Sequence, residues 1–183
     1  LERLSLTGKH MKLQKSLDAF LFCCYAGMRY SDFTNLSKKN IVDINQETWL
    51  IYKSVKTGTE VRLPLYLLFA GKGIVILNKY RNNLEDFFRL RDNSNINKDL
   101  IIIAKLAGLS KKISFHTARH TNATLLIYNG VNITTVQKLL GHKSVKTTQV
   151  YTNIMDMTIV HDLEKMKQAA LGIKKKTDNS FNK

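Results

Sequence analysis

Proline is almost missing from this chain: Pro64 is the only one in 183 residues, so the lack of an amide hydrogen bars almost no segment from a helix. Cysteine is nearly missing too. The two present, Cys23 and Cys24, are neighbours in an apolar run. That excludes a disulfide framework and fits buried thiols in a reducing cytoplasm. No uncharged apolar stretch reaches the roughly 18 residues that a membrane-crossing helix needs. The opening Leu1-Glu2-Arg3-Leu4 has neither a basic region nor an apolar core, so no secretory signal is expected there. It also lacks an initiator Met, and a fragment of a longer protein is expected. Acidic side chains are scarce, with 14 Asp and Glu against 29 Lys and Arg, for a net charge of +15. Such a field attracts polyanions, and nucleic acid is the commonest of them. Phosphate-cradling Gly-x-x-x-x-Gly-Lys loops and acidic metal clusters are both absent, so neither a nucleotide cofactor nor a metal is expected.

What is present is mostly helical patterning. Leu13, Leu17, Phe20, Leu21, Cys24 and Met28 recur at the spacing of a buried helix face, predicting a helix over about Lys12 to Met28. Gly27 near its end suggests a turn that leaves Met28 and Arg29 at the terminus. A short helix over about Ser31 to Leu36 follows, with Ser31 as N-cap. The period then changes. Ile41–Ile44, Thr48–Val55 and Glu60–Leu63 are short β-branched and aromatic runs separated by tight turns, predicting a three-stranded antiparallel sheet that Pro64 terminates. Helices are expected again near Gly73–Asn83, Asn95–Leu106, His116–Tyr128, Ile133–Leu140, Ser144–Tyr151 and Asp156–Ala170. Gly108, Gly130 and Gly141 fall at the breaks. The basic tail, 174–183, is expected to be disordered. The fold class is therefore mainly α with a small three-stranded antiparallel sheet, in one domain over residues 1–173.

Chemistry concentrates near the C-terminal end. In His116-Thr117-Ala118-Arg119-His120, helical spacing projects His116 and Arg119 together. A guanidinium offers a planar fork of donors to phosphate, and an imidazole can hold or release a proton near neutral pH. Leu139-Leu140-Gly141-His142-Lys143-Ser144 comes next, and then Tyr151. On one continuous helix His142 and Tyr151 would face apart. Gly141 and the expected N-cap Ser144 break that helix, so His142 can point back toward the tyrosine.

These residues in this order resemble the tyrosine recombinase, or phage integrase, family. Ala26-Gly27-Met28-Arg29 with Asp32 matches the family's first arginine and the acidic residue after it. Lys56-Thr57-Gly58 matches its β-turn lysine. His116, Arg119 and His120, then Leu140-Gly141-His142, then Tyr151, complete the pattern from about Leu13 to Lys167. Ala118 stands where Leu is usual, and Asp32 where Glu is common. The resemblance implies an enzyme that breaks and rejoins double-stranded DNA through a 3′-phosphotyrosine on Tyr151, leaving a free 5′-hydroxyl. Arg29 and Arg119 would clamp the phosphate and His142 would be a further donor. His116 would act as base, with Asp32 orienting either it or Arg29, and Lys56 as general acid on a mobile hairpin turn. His120 is expected to make a buried structural hydrogen bond, and Lys143 and Lys146 to contact DNA phosphates.

The resemblance further implies a site-specific recombinase or integrase of a bacterial mobile element, working in the cytoplasm. It would be a monomer when free and a homo-oligomer on DNA. Its usual N-terminal DNA-binding domain is absent from this fragment, and no membrane partner is expected. Two other readings stay open from the residues. One is a topoisomerase-like enzyme that relaxes DNA by the same chemistry. The other is a non-catalytic binder using the helices near Ile133 to Tyr151 as a helix-turn-helix.

Overall fold

The computed structural model describes residues 1–152 and, beyond them, residues 163, 164, 166 and 167. Apart from those last positions, the helix expected over Asp156–Ala170 and the basic tail lie outside the described residues. Eight α-helices are described up to Thr152: α1 (Gln14–Ala26), α2 (Tyr30–Thr34), α3 (Lys72–Lys79), α4 (Leu84–Phe88), α5 (Asn93–Leu106), α6 (Phe115–Tyr128), α7 (Ile133–Leu140) and α8 (Lys146–Gln149). The strands are β1 (Ile41–Ile44), β2 (Glu47–Lys53) and β3 (Glu60–Pro64), in sheet order β1-β2-β3. Mainly helical with one three-stranded antiparallel sheet is thus the observed class. No helix among the described residues is long and apolar enough to cross a membrane.

Helix α1 is the axis of the core. A 3₁₀ turn over Gly8–Leu13 leads into it, and Gly27 closes it in the left-handed region at φ 67°. Its periodicity suggested one apolar face, but Leu17, Ala19, Phe20, Phe22, Cys23, Tyr25 and Ala26 are all buried, so it is packed nearly all round. Its polar residues are satisfied inside. Ser16 donates to Asp99 at 2.6 Å, and Asp18 accepts from the Tyr80 hydroxyl at 2.9 Å. Helix α6 lies along α1. Beside them Phe33 is the hub of an aromatic cluster, its ring 5.4 Å from those of Phe87 and Phe88 and 6.1 Å from that of Phe115. Each such side chain contributes about 1.5–3 kcal/mol by leaving water. Phe87 and Phe88 arrive on α4, five residues long, which is too short for periodicity to reveal.

The sheet has its predicted strands with shifted ends. Asn45 and Gln46 both take positive φ, 53° and 66°, as a two-residue hairpin turn between β1 and β2 requires. Leu50, Tyr52, Val61 and Leu63 bury one face. Pro64 does not follow β3 but is its last residue, opposite Trp49. β3 is an outer strand of this sheet, where a missing amide hydrogen costs no ladder bond.

Two helix starts also differ from expectation. Ser31 lies inside α2, and the N-cap position is held by Arg29 in an extended conformation. Helix α8 occupies only Lys146–Gln149 of the expected Ser144–Tyr151. The Ser144 hydroxyl accepts the Lys146 amide at 3.2 Å in a local turn, so the helix begins later, and Tyr151 follows it in a turn. An element of one turn gives a helix-turn-helix no recognition helix.

Candidate active site

Three chain turns are tied together around Arg119, two bonded to its side chain and the third, the hairpin tip, bonded to the second of these. The first is the Gly27–Arg29 turn after α1, the second the Gly141–His142 turn after α7, and the third the hairpin tip between β2 and β3. Arg119 rises from α6, which starts with a reciprocal Ser114–Thr117 capping box. Its side chain is 1% exposed. One terminal nitrogen donates to the Gly27 carbonyl and the other to the Leu140 carbonyl, both at 2.7 Å. The guanidinium therefore pins the backbone just before Arg29 and just before His142. With five N–H donors, it keeps further ones for a ligand. Burial, then repulsion from Arg29, lowers its pKa to about 10, which leaves it charged at neutral pH.

Glycine is required at both turns. At Gly27, with φ 67°, a Cβ would meet the Asn122 Oδ1 at 2.6 Å. At Gly141, with φ 64°, it would meet the Val61 Cγ2, also at 2.6 Å. Asn122, buried one turn after Arg119, donates to the Cys24 and Tyr25 carbonyls and fastens α1 to α6.

Arg29 is half-buried and donates to the Ser54 hydroxyl at 3.2 Å, with Asp32 3.5 Å away. Buried Asp32 accepts the Val55 amide at 2.8 Å and the Ser54 hydroxyl at 3.3 Å. Of the two partners expected for it, Asp32 thus orients Arg29, along with the root of the hairpin, and not His116. At the hairpin tip Lys56 is exposed, and beside it the Thr57 hydroxyl donates to the Gly141 carbonyl at 3.0 Å. Arg29, Lys56 and His116 line one open cavity of about 340 Å³, together with Tyr30, Ser31 and Asn93.

His142 is buried, and its Nδ1 lies 2.9 Å from the Thr148 hydroxyl. Burial, and then the charges of Arg119 and Arg29, push its pKa down to about 4. His116 is lowered as well, by burial first and then by His120, Arg119, Arg29 and Lys56. His120 is exposed and does not make the buried hydrogen bond expected of it. Instead its ring lies edge-on between His116, at 4.5 Å, and Tyr151, at 5.3 Å. It points outward because α6 turns its other face, with Arg119 and Asn122, to the core.

Tyr151 is buried, and its phenol is raised by burial against the opposing pull of Arg119 and Arg29. The nucleophile candidate therefore feels both guanidiniums. Lys143 and Lys146 are exposed beside it in sequence. Among the described residues no group of three or more His, Cys, Asp or Glu is placed to hold a metal ion. Sequence reasoning missed Ser54, Thr57, Asn122 and Thr148. The one available signal was Asn122, a polar residue a helical turn from Arg119 on the same buried face.

This helical domain with a small sheet is the architecture of a tyrosine recombinase catalytic domain. The chain belongs to the phage integrase family, whose model matches residues 7–157. The tyrosine recombinase XerC of Rickettsia prowazekii is 30% identical over 159 residues, which cover 82% of this chain and 49% of that protein. A crystal structure of the XerH site-specific recombinase bound to palindromic difH substrate, in a post-cleavage complex, superposes with a TM-score of 0.65 at 20% identity, covering 91% of this chain and 48% of that one. A lambda integrase dimer bound to a COC′ core site gives 0.61 at 22% identity, covering 75% and 52%. The chain spans about half the length of the XerC relatives it matches.

Proposed function

We propose that this domain cleaves and rejoins DNA at specific sites, with Tyr151 as nucleophile. The observation that carries the reading is Arg119 bound to the carbonyls of Gly27 and Leu140, which ties the turns bearing Arg29 and His142 together beside it, with the Tyr151 phenol raised by burial but drawn down by both guanidiniums. A phosphodiester under attack gains negative charge, and fixed donors in a partly desolvated site stabilise it. The Tyr151 oxygen attacks phosphorus, the bond to the 5′-oxygen breaks, and a 3′-phosphotyrosine forms. The phenol proton goes to His116 by way of His120, whose ring stands between the two. Burial and the nearby cations lower the His116 pKa, which favours the neutral form that can accept. Lys56 delivers a proton to the departing 5′-oxygen, which is a poor leaving group without one. No step calls for a metal or nucleotide.

Asp32 acts through Arg29, and His120 supports the rings on either side of it. Exposed Lys143 and Lys146 are phosphate contacts in this reading. The net charge of +15 supports a polyanionic partner, double-stranded DNA, and a cytoplasmic location belongs to the same reading. The dimeric state of lambda integrase on its core site supports a monomer that assembles on DNA. Assignment to a bacterial mobile element follows the resemblance and is tested by sequencing the junctions that the full-length protein makes.

The test of the chemistry is a pool of nicked suicide duplexes, randomised around the nick and offered to the full-length protein and to this domain. A covalent protein–DNA band on a denaturing gel is expected, and none with Tyr151→Phe, which still binds duplex. An adduct that survives Tyr151→Phe overturns the reading. So does DNA binding by the wild type without any adduct. Relaxation of supercoils with no recombinant junction from the full-length protein would make the enzyme a topoisomerase instead.

A further inference from the structure

Both polar groups of the His142 backbone are bonded to Gln137, which fixes where the ring starts from. The His142 amide donates to the Gln137 carbonyl at 3.0 Å, and its carbonyl accepts from the Gln137 side chain at 3.0 Å. What remains open is which ring nitrogen carries the hydrogen, and that decides whether the site meets a donor or an acceptor. Thr148 stands at the inner nitrogen. Its side chain is fully buried, its amide is held by the Val145 carbonyl at 2.7 Å, and its hydroxyl lies 2.9 Å from His142 Nδ1. Two rotamers are open to a threonine on helical backbone, and here full burial and the contact with Nδ1 select the one that faces His142.

We propose that Thr148 is a positioning residue that sets the tautomer of His142, donating its hydroxyl hydrogen to Nδ1 so that Nε2 presents an N–H to the phosphate. Two arrangements of a singly protonated ring are possible. If Nδ1 carried the hydrogen, it would donate to the Thr148 oxygen. The Thr148 O–H would then need an acceptor of its own, and among the described residues none other than His142 is bonded to it. A buried donor without an acceptor is the costly case. With the hydroxyl donating, both groups are satisfied and the outer nitrogen is left as the donor. The ring also stays singly protonated at neutral pH, since burial and the two arginines disfavour its cation. This deepens the recombinase reading, in which His142 is a donor to the phosphate.

Long-range ¹⁵N–¹H correlation spectra of this chain identify the protonated ring nitrogen directly, without DNA or turnover. The wild type is expected to show His142 protonated at Nε2. Thr148→Val keeps the shape and removes the hydroxyl, so the preference should disappear. Thr148→Ser supplies the hydroxyl again and should bring it back. In the suicide-duplex assay Thr148→Val should slow adduct formation about 10-fold, the lower end of what removing a histidine's orienting partner costs elsewhere, and Thr148→Ser should recover most of it. A wild-type ring protonated at Nδ1, or an unchanged Nε2–H ring in Thr148→Val, overturns the proposal. A tautomer that changes as expected in a protein that forms no adduct would remove the recombinase reading and leave the tautomer assignment standing.

Discussion

Arg119 and Lys56 are cations of the same site, and the protein treats them in opposite ways. Arg119 is buried, with two of its donors spent on carbonyls of separate turns. Lys56 is exposed at the end of a hairpin whose firm ties, through Ser54 and Val55 to Asp32, lie at its root. The difference suits the tasks proposed for them. Charge that stabilises a transition state works best when it is fixed beforehand and needs no reorganisation. A proton donor has to reach one oxygen and must surrender its charge, so burial in a rigid cradle would not help it.

The contrast can be broken by mutation. Arg119→Ala removes both the clamp and the staple between turns, so adduct formation in the suicide-duplex assay should fall by about 10³-fold or more, with a lower melting temperature. Arg119→Lys keeps the charge but cannot span both carbonyls, and should lose about 10²-fold. Lys56→Ala should slow cleavage by about 10²-fold, the lower range for a missing general acid, while stability measured by urea unfolding moves by less than about 0.5 kcal/mol. A substrate whose leaving oxygen is replaced by sulfur needs no proton and should restore that rate. If Arg119→Ala and Lys56→Ala lowered stability equally, the distinction between staple and acid would fail.

The smallest effect sharpens the electrostatics. The His142 ring should titrate near pH 4 in a histidine NMR titration, where an ordinary imidazole titrates near 6.5. A depressed value means that the folded protein refuses a proton that the unfolded chain accepts below pH 6.5. This contribution to stability is therefore whole above that pH, and it is lost as the pH falls to about 4. A midpoint near 6.5 would mean that burial and the arginines do not act on this ring.

Arg29, Arg119, His142 and Tyr151 stood out as candidates through the family resemblance, whose motifs are short patterns of fixed spacing, and the glycines at 27 and 141 marked the turns that carry two of them. The residues that hold them were not visible. Ser54 meets Asp32 across 22 positions, Thr57 meets Gly141 across 84, and Asn122 meets Cys24 across 98. A lone hydroxyl or amide carries no periodicity, and its value exists only after folding. Thr148 is only 6 positions from His142, but the expected long helix before Tyr151 hid the turn that brings it near. His120 was misjudged for the same reason, since spacing gave its helix but not the side of the helix that faces solvent. Helix α4 escaped because five residues are little more than one turn, and its phenylalanines read as loop.

Among the described residues a single side-chain bond, from Thr57 to the Gly141 carbonyl, fastens the end of the hairpin to the turn that bears His142. Opening that latch trades one neutral hydrogen bond for water, at a net cost of about 0.5–1.5 kcal/mol. Thermal fluctuations at room temperature make a step of that size routine. With that latch open the tip at Thr57 can shift while nearby Val55 stays bonded to Asp32 and the Arg119 floor stays still. In the proposed reading that small give is the room a duplex would use.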